Sequence, residues 1–412
     1  MTTTPARIPM TGLLAANSLR RLLDLLAQDG DTAYIVGGAV RNALVGRPVH
    51  EIDIATSATP SLVMARAESA GFKTIPTGID HGTVTVMVDH TPYEVTTFRS
   101  DIATDGRRAT VLFGRDILPD AERRDFTINS LYADQDGVII DLVGGLVDIA
   151  ARRVRFIGDP VARIREDYLR ILRFFRFQSD YAEGAPDVAA LAASKSEKNG
   201  LDTLSRERIR AEFLKILCSR RAVETVALMA ETGILPHVID QSPDINTLRH
   251  LVAFHPASDA ILRLASLAVR SVPECESLRD KLRLSNHEFA TLKAIATALP
   301  ALPDTPDTPE NAPPQQLRAL AYRHGHTHAL DALRIKLAMH GTTVPDSIRT
   351  LIESAPDSCP FTGVMLLATG LAPGQHIGKI ITAAETEWIA QDFPSDPATR
   401  DTILANAVKQ HA

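Results

Sequence analysis

The chain has 412 residues, 45% hydrophobic and 23% charged, with a formal net charge of −6; this suits a folded protein with more than one core and excludes a uniformly basic nucleic-acid coat, though not a local basic face. Nine of its 44 basic residues are Lys and 35 are Arg, the side chain best suited to bidentate contacts with phosphates and base edges. Cys218, Cys275 and Cys359 are too scattered for a disulfide framework or zinc site, and no signal-peptide run or membrane-length apolar stretch is visible, so a cytoplasmic protein without membrane contact is expected.

Residues 13–29 carry leucines at helical spacing, with Gly30 as the stop. Ala33–Val36 predicts a short strand, followed by Gly37-Gly38 and a short helix through Leu44. His50–Ala55 alternates like a half-buried strand. Residues 82–88 and 93–98 are β-branched strand candidates around a turn at Asp89–Pro92. Asp120–Ala133 predicts a helix, and Gly137–Asp141 a turn and strand. Beyond Gly158 the strand signal fades. Asp159-Pro160 is a helix start, an N-cap acid followed by Pro, and one helix is expected through Gln178, with later stops near Gly200 and Gly233. Six Pro within residues 300–314 predict a linker. The expected class is α+β: a small mixed-sheet head over 1–150, then an all-helical neck (151–218), body (219–299), Pro-rich linker (300–316) and tail (317–412).

Four constellations carry chemistry. Gly37-Gly38 between strand and helix lets backbone N–H groups approach a phosphate, and Arg41 adds a full charge there. Glu51 and Asp53, two apart on the expected strand, would share a face. Two carboxylates opposite such a cradle are a means of holding Mg²⁺ for phosphoryl or nucleotidyl transfer. One strand later, Glu94 is a third carboxylate and a candidate general base. In Arg123-Arg124-Asp125-Phe126-Thr127-Ile128-Asn129, at most one Arg would reach a nucleotide and Asp125 and Asn129 could hydrogen-bond a ribose, although an RRD run alone is usually a solvated helix start.

The fourth is the expected helix from Asp159. At about 100° per residue, Arg163, Glu166, Asp167, Arg170, Arg173 and Arg176 fill one half of it. A solvated face with i,i+4 pairs is the simpler account, but residues 151–180 hold eight Arg and four acids in an acidic chain. Asp167 offers only acceptors and Arg170 only donors. Cytosine and adenine present an exocyclic amine beside a ring-nitrogen acceptor, which this pair complements. Uracil and guanine present a carbonyl beside an N–H, so both contacts clash. Unpaired buried polar groups make such discrimination steep.

The blocks GGAVRNALVGRPVHEIDIAT, HGTVTV with YEVTTF, RRDFTIN, GDPVARIREDYLRILRFFRF and LSRERIRAE, in this order over roughly residues 30–215, resemble class II CCA-adding tRNA nucleotidyltransferases and bacterial poly(A) polymerases, of the DNA polymerase β-like superfamily. The resemblance implies a catalytic head and a helical neck, body and tail that bind tRNA. It implies triphosphate binding by Gly38 and Arg41, and Mg²⁺ held by Glu51 and Asp53. Arg124 would contact the nucleotide with Asp125 near its ribose. Asp167 and Arg170 would read the base, with Glu166 orienting Arg170. Arg173 and Arg176 would contact phosphates or the RNA end. Ser100–Asp120 corresponds to the loop associated with the switch to A addition. The implied activity is addition of C, C and A from CTP and ATP to the tRNA 3′ end; no protein partner is implied. Poly(A) addition, A-only or CC-only activity, and a non-catalytic RNA-binding homologue are the alternatives, the loop arguing against CC-only. The sequence departs from the family's Asp at Asn42 and Glu51, and shows no His-Asp phosphohydrolase motif.

Overall fold

The computed structural model describes residues 6–105, 108–302 and 313–411, with the side chains of Asp80 and of residues 100–111 left out. Most of the expected 300–316 linker thus lies outside the described residues, as do two residues of the 100–120 segment. The chain divides into two compact units, Met1–Glu212 with Ser219–His237, and Phe213–Cys218 with Val238–Ala412.

The first unit opens with α1 (Asn17–Leu26), whose Leu19, Leu22, Leu23 and Leu26 are buried. It is shorter than the leucine pattern suggests. Ala16 is extended before it, and Asp29 and Gly30 take positive φ after it, so short 3₁₀ turns flank it. β1 (Ala33–Val36), α2 (Gly38–Leu44), β2 (Asp53–Thr56), α3 (Pro60–Ser69), β3 (Lys73–Gly78), β4 (Thr83–Val88) and β5 (Thr91–Thr97) follow. β6 (Arg99–Asp105) and β7 (Arg108–Phe113) form a separate antiparallel ribbon. Then come α4 (Ile117–Glu122), β8 (Leu131–Ala133), β9 (Ile139–Asp141) and α5 (Gly145–Ala150). Seven strands make one mixed sheet in the order β3-β4-β5-β2-β1-β8-β9. β2 and β5 are parallel, and the other neighbours antiparallel. Leu22, Leu26, Ile35, Val40, Ile54, Val84 and Val86 are fully buried in one cluster, each worth about 1.5–3 kcal/mol.

Asp120–Ala133 is not the helix its composition suggests. α4 ends at Glu122, a 3₁₀ turn covers Thr127–Asn129, and Leu131-Tyr132-Ala133 is a fully buried strand. Burial on both faces removes the alternation that would mark a strand in sequence.

The expected continuous helix from Asp159 is two helices. Asp159 caps α6 (Pro160–Glu166) by accepting from Ala162 N at 2.8 Å. At Asp167 the backbone turns extended, φ −157° and ψ 106°, and its side chain accepts from Leu169 N at 3.2 Å as α7 (Leu169–Tyr181) begins. α7 buries Ile171, Leu172, Phe174, Phe175 and Phe177. α8 (Val188–Ser196), α9 (Arg206–Leu217) and α10 (Ala222–Glu231) follow.

The second unit, among its described residues, contains helices and no strand. Its last helices close on Trp388, which meets Phe361, Phe393 and Tyr322 edge-on. No described helix is long and apolar enough to cross a membrane.

Candidate active site

Register places the catalytic candidates. Asp53 lies opposite Val36 on β1 and beside Glu94 on parallel β5, and Val36 also pairs with Tyr132 on β8. One row across the sheet therefore reads Glu94, Asp53, Val36, Tyr132. Directly after Val36 the chain turns through Gly37, at φ 72° and ψ −121°, a backbone state that L side chains rarely adopt. Gly38 opens α2.

Glu51 does not lie on the strand. β2 begins at Asp53, so the shared face expected from alternation does not exist, and Glu51 is exposed in the preceding segment. The carboxylates still gather. Burial, then Glu94, then Glu51 push the Asp53 carboxyl up to about 6, against the opposing pull of Arg124. An under-compensated anionic cluster of this kind suits a cation. No three His, Cys, Asp or Glu side chains among the described residues converge tightly enough to bind a metal alone. An ion held by Glu51 and Asp53 would thus need further oxygens from a bound phosphate or water, as suits a hard divalent ion at a triphosphate site.

Arg124 stands over the glycine turn: its Nη1 lies 3.6 Å from where a Cβ on Gly37 would be. Asp120 fixes it through Nη2 at 3.1 Å, and the Tyr132 hydroxyl accepts from its Nε at 3.1 Å. Burial alone would raise Asp120, but Arg124, Arg123 and the Tyr132 hydroxyl hold it below the usual carboxylate range.

Arg41 lies elsewhere than expected for a side chain reaching into an open cleft. It is 7% exposed, and its guanidinium stacks on Tyr181 at 4.1 Å and Phe177 at 5.0 Å. Nη1 donates to Asn129, and Nη2 donates to the Tyr181 hydroxyl at 2.9 Å and to Asn42 Oδ1 at 3.2 Å. Tyr181 in turn donates to Asn42 Oδ1 at 2.8 Å. Asn42 thereby ties α2 to the end of α7.

The charged face of α6 and α7 is half-buried and internally paired. Arg163 and Arg170 share Glu166, Arg173 pairs with Asp125, and Arg176 with Glu212. Asp167 Oδ2 accepts from Arg208 Nη2 at 2.7 Å. Asp125 also accepts from Asn129 Nδ2 at 2.9 Å, and although burial opposes it, Arg173 and Asn129 hold its carboxyl low. A continuous chain thus runs from Arg41 through Asn129 and Asp125 to Arg173. Arg208, Glu212, Tyr132 and Tyr181 carry no role from the sequence, whereas Asn129, a ribose candidate there, bonds Arg41 and Asp125. The first two sit inside a block already singled out, LSRERIRAE; the two tyrosines have no signal of their own.

A glycine turn beside clustered carboxylates on a mixed sheet, followed by a helical segment rich in paired Arg, defines a nucleotidyltransferase head with its neck. The family described as "Poly A polymerase head domain" matches residues 33–155, and "Probable RNA and SrmB- binding site of polymerase A" matches residues 187–248. The CCA-adding enzyme of Leuconostoc citreum is 41% identical over 403 residues, 94% of each chain. Mouse mitochondrial CCA tRNA nucleotidyltransferase 1 is 40% identical over 228 residues, 55% of this chain but only 52% of that protein. The Bacillus stearothermophilus CCA-adding enzyme, solved in complex with CTP, superposes with a TM-score of 0.77 at 29% identity, covering 95% of this chain and 98% of that one. The chain belongs to the class II CCA-adding enzyme and poly(A) polymerase family, whose nucleotidyltransferases generally use a divalent metal.

Proposed function

We propose that this protein is a template-independent RNA nucleotidyltransferase that adds C, C and A to the 3′ end of tRNA from CTP and ATP, releasing pyrophosphate. The carrying observation is the gathering of Asp53, Glu94 and Glu51 beside the Gly37-Gly38 turn and Arg124. The near full-length likeness to CCA-adding enzymes supports it.

On this reading residues 1–150 are the catalytic head and 151–218 the base-reading neck. The helices of 219–299 are the body and those of 317–412 the tRNA-binding tail. The triphosphate lies against the amides of Gly37 and Gly38, with Arg124 neutralising its charge. Arg41 supports that turn from beneath. The 3′ hydroxyl attacks the α-phosphorus, pyrophosphate leaves, and Glu94 is positioned to take the hydroxyl proton. Mg²⁺ held by Glu51 and Asp53 would supply Lewis-acid stabilisation of the charge developing on the oxygens. Asp167 accepts from the exocyclic amine of C or A and Arg170 donates to the adjacent ring nitrogen. Asp125 lies near the ribose, while Arg173 and Arg176 face the RNA end. Acceleration comes mostly from positioning and charge stabilisation. The three free thiols and the tRNA substrate support a cytoplasmic location.

The test is Asp53→Ala in the full-length protein, assayed for nucleotide incorporation into tRNA. Loss of incorporation with retained tRNA binding is expected; undiminished incorporation refutes the assigned metal site.

A further inference from the structure

Asp167 and Arg170 carry opposite charges three residues apart, a spacing at which side chains commonly pair. Here each has another counter-ion instead. Arg208 takes Asp167 Oδ2 at 2.7 Å, while Leu169 N donates to Oδ1 at 3.2 Å. Arg170 Nη1 is bound by Glu166 and by the Arg163 carbonyl at 2.8 Å. The helix break at Asp167 assists, because its backbone is extended there and its carboxylate is engaged by Leu169 N at the start of α7. A carboxylate has about four acceptor positions, so two stay available for a ligand. The Asp167 and Arg208 side chains are 21% and 25% exposed, partly withdrawn from water yet open on one side.

We propose that Arg208 is a positioning residue for base choice, which withholds Asp167 from Arg170 so that both keep free edges for the incoming base. This rests on the reading of Asp167 and Arg170 as base readers; Arg208 itself does not touch the nucleotide. Without Arg208, Asp167 still has Arg170, three residues on in the chain, and Arg173, which already interacts with its charge. Glu166 adds like charge from the preceding position. An Asp167–Arg170 pair would spend the acceptor and the donor on each other. The site would then hold no pattern matched to an amine beside a ring nitrogen. Carbonyl and N–H edges would be rejected less, and cognate bases bound more weakly.

The experiment uses full-length protein and a tRNA transcript ending after one C, supplied singly with CTP, ATP, UTP or GTP. kcat and KM are measured for wild type, Arg208→Gln, Arg208→Lys, Asp167→Asn and the Arg208→Gln/Asp167→Asn double variant. Arg208→Gln should lower the preference for CTP over UTP about tenfold or more, the scale of one hydrogen bond to a charged group, mainly by raising KM for CTP. Arg208→Lys, which keeps the charge at a single-nitrogen contact, should restore most of that preference. The double variant should be no less selective than Asp167→Asn. A uniform fall in kcat for all nucleotides with an unchanged CTP/UTP ratio overturns the proposal, because support of the fold alone would act that way. If Arg208→Gln does not fold, Arg208→Met, which keeps the apolar stem, is read by the same two outcomes. If Asp167→Asn leaves selectivity unchanged, the underlying base-reading assignment fails. If it alters selectivity while Arg208→Gln does not, only the role of Arg208 fails.

Discussion

Asp53 and Glu94 occupy facing positions on adjacent parallel strands, two acids set side by side where a sheet would ordinarily carry an opposite-charge or neutral pair. The arrangement raises the energy of the ion-free protein, and it is the electrostatic feature from which the proposed chemistry begins.

The Asp53 carboxyl is raised from 3.8 to about 6, by burial first and then by its acidic neighbours. A carboxyl raised in the folded state favours folding while protonated. That contribution is full below about pH 4 and is lost as pH rises through about 6. In chelator-treated protein, Asp53→Asn should therefore melt above wild type at pH 7 and close to it at pH 4. Divalent ion should stabilise wild type at pH 7 and barely affect the variant. Equal melting temperatures at pH 7 without metal would contradict the crowding.

Tyr181 accepts a hydrogen bond from Arg41 and donates one to Asn42. Tyr181→Phe keeps the ring under the guanidinium but removes both bonds, and should cost about 1.5–3 kcal/mol. Urea denaturation measures this. Because the turn over Arg41 serves either nucleotide, kcat/KM for CTP and ATP should fall in parallel. A change confined to one nucleotide would show that Tyr181 does not act through the turn.

Asp120 is 1% exposed and bonds Arg123, Arg124 and Tyr132. Asp120→Asn leaves two largely buried guanidiniums without their carboxylate, a loss of roughly 3–5 kcal/mol. Asp120 titrates low in the folded state, so its stabilisation is present above 3.8 and is lost as pH falls below it. The variant should accordingly unfold at neutral pH more readily than wild type and show a flatter acid limb in chemical denaturation. An unchanged midpoint at pH 7 would refute the buried-pair account.

Much of this was readable in the residues, and the failures have physical causes. The strand of Thr83–Val88, the Gly37 turn and the Asp159 cap follow from local preferences that burial reinforces. Leu131–Ala133 was missed because a strand buried on both faces has no alternation. The break at Asp167 is invisible to helical periodicity: its extended backbone ends α6 while its carboxylate accepts from Leu169 N and from Arg208, 41 residues away in the chain. Arg41 illustrates the same limit: its residue type fits a phosphate contact, but Phe177 and Tyr181, brought in by the fold, hold it under the turn. Strand alternation does not relate Glu51 to Asp53, because β2 begins only at Asp53; Glu51 acts on the Asp53 carboxyl from the preceding segment.

The most direct measurement uses tRNA transcripts ending before CCA, after C and after CC. Each is incubated with full-length protein, Mg²⁺, CTP and ATP, and the products are sequenced. The account predicts that all three are completed to CCA and no further. Addition of A alone, arrest after CC, homopolymer tails or no extension would contradict it.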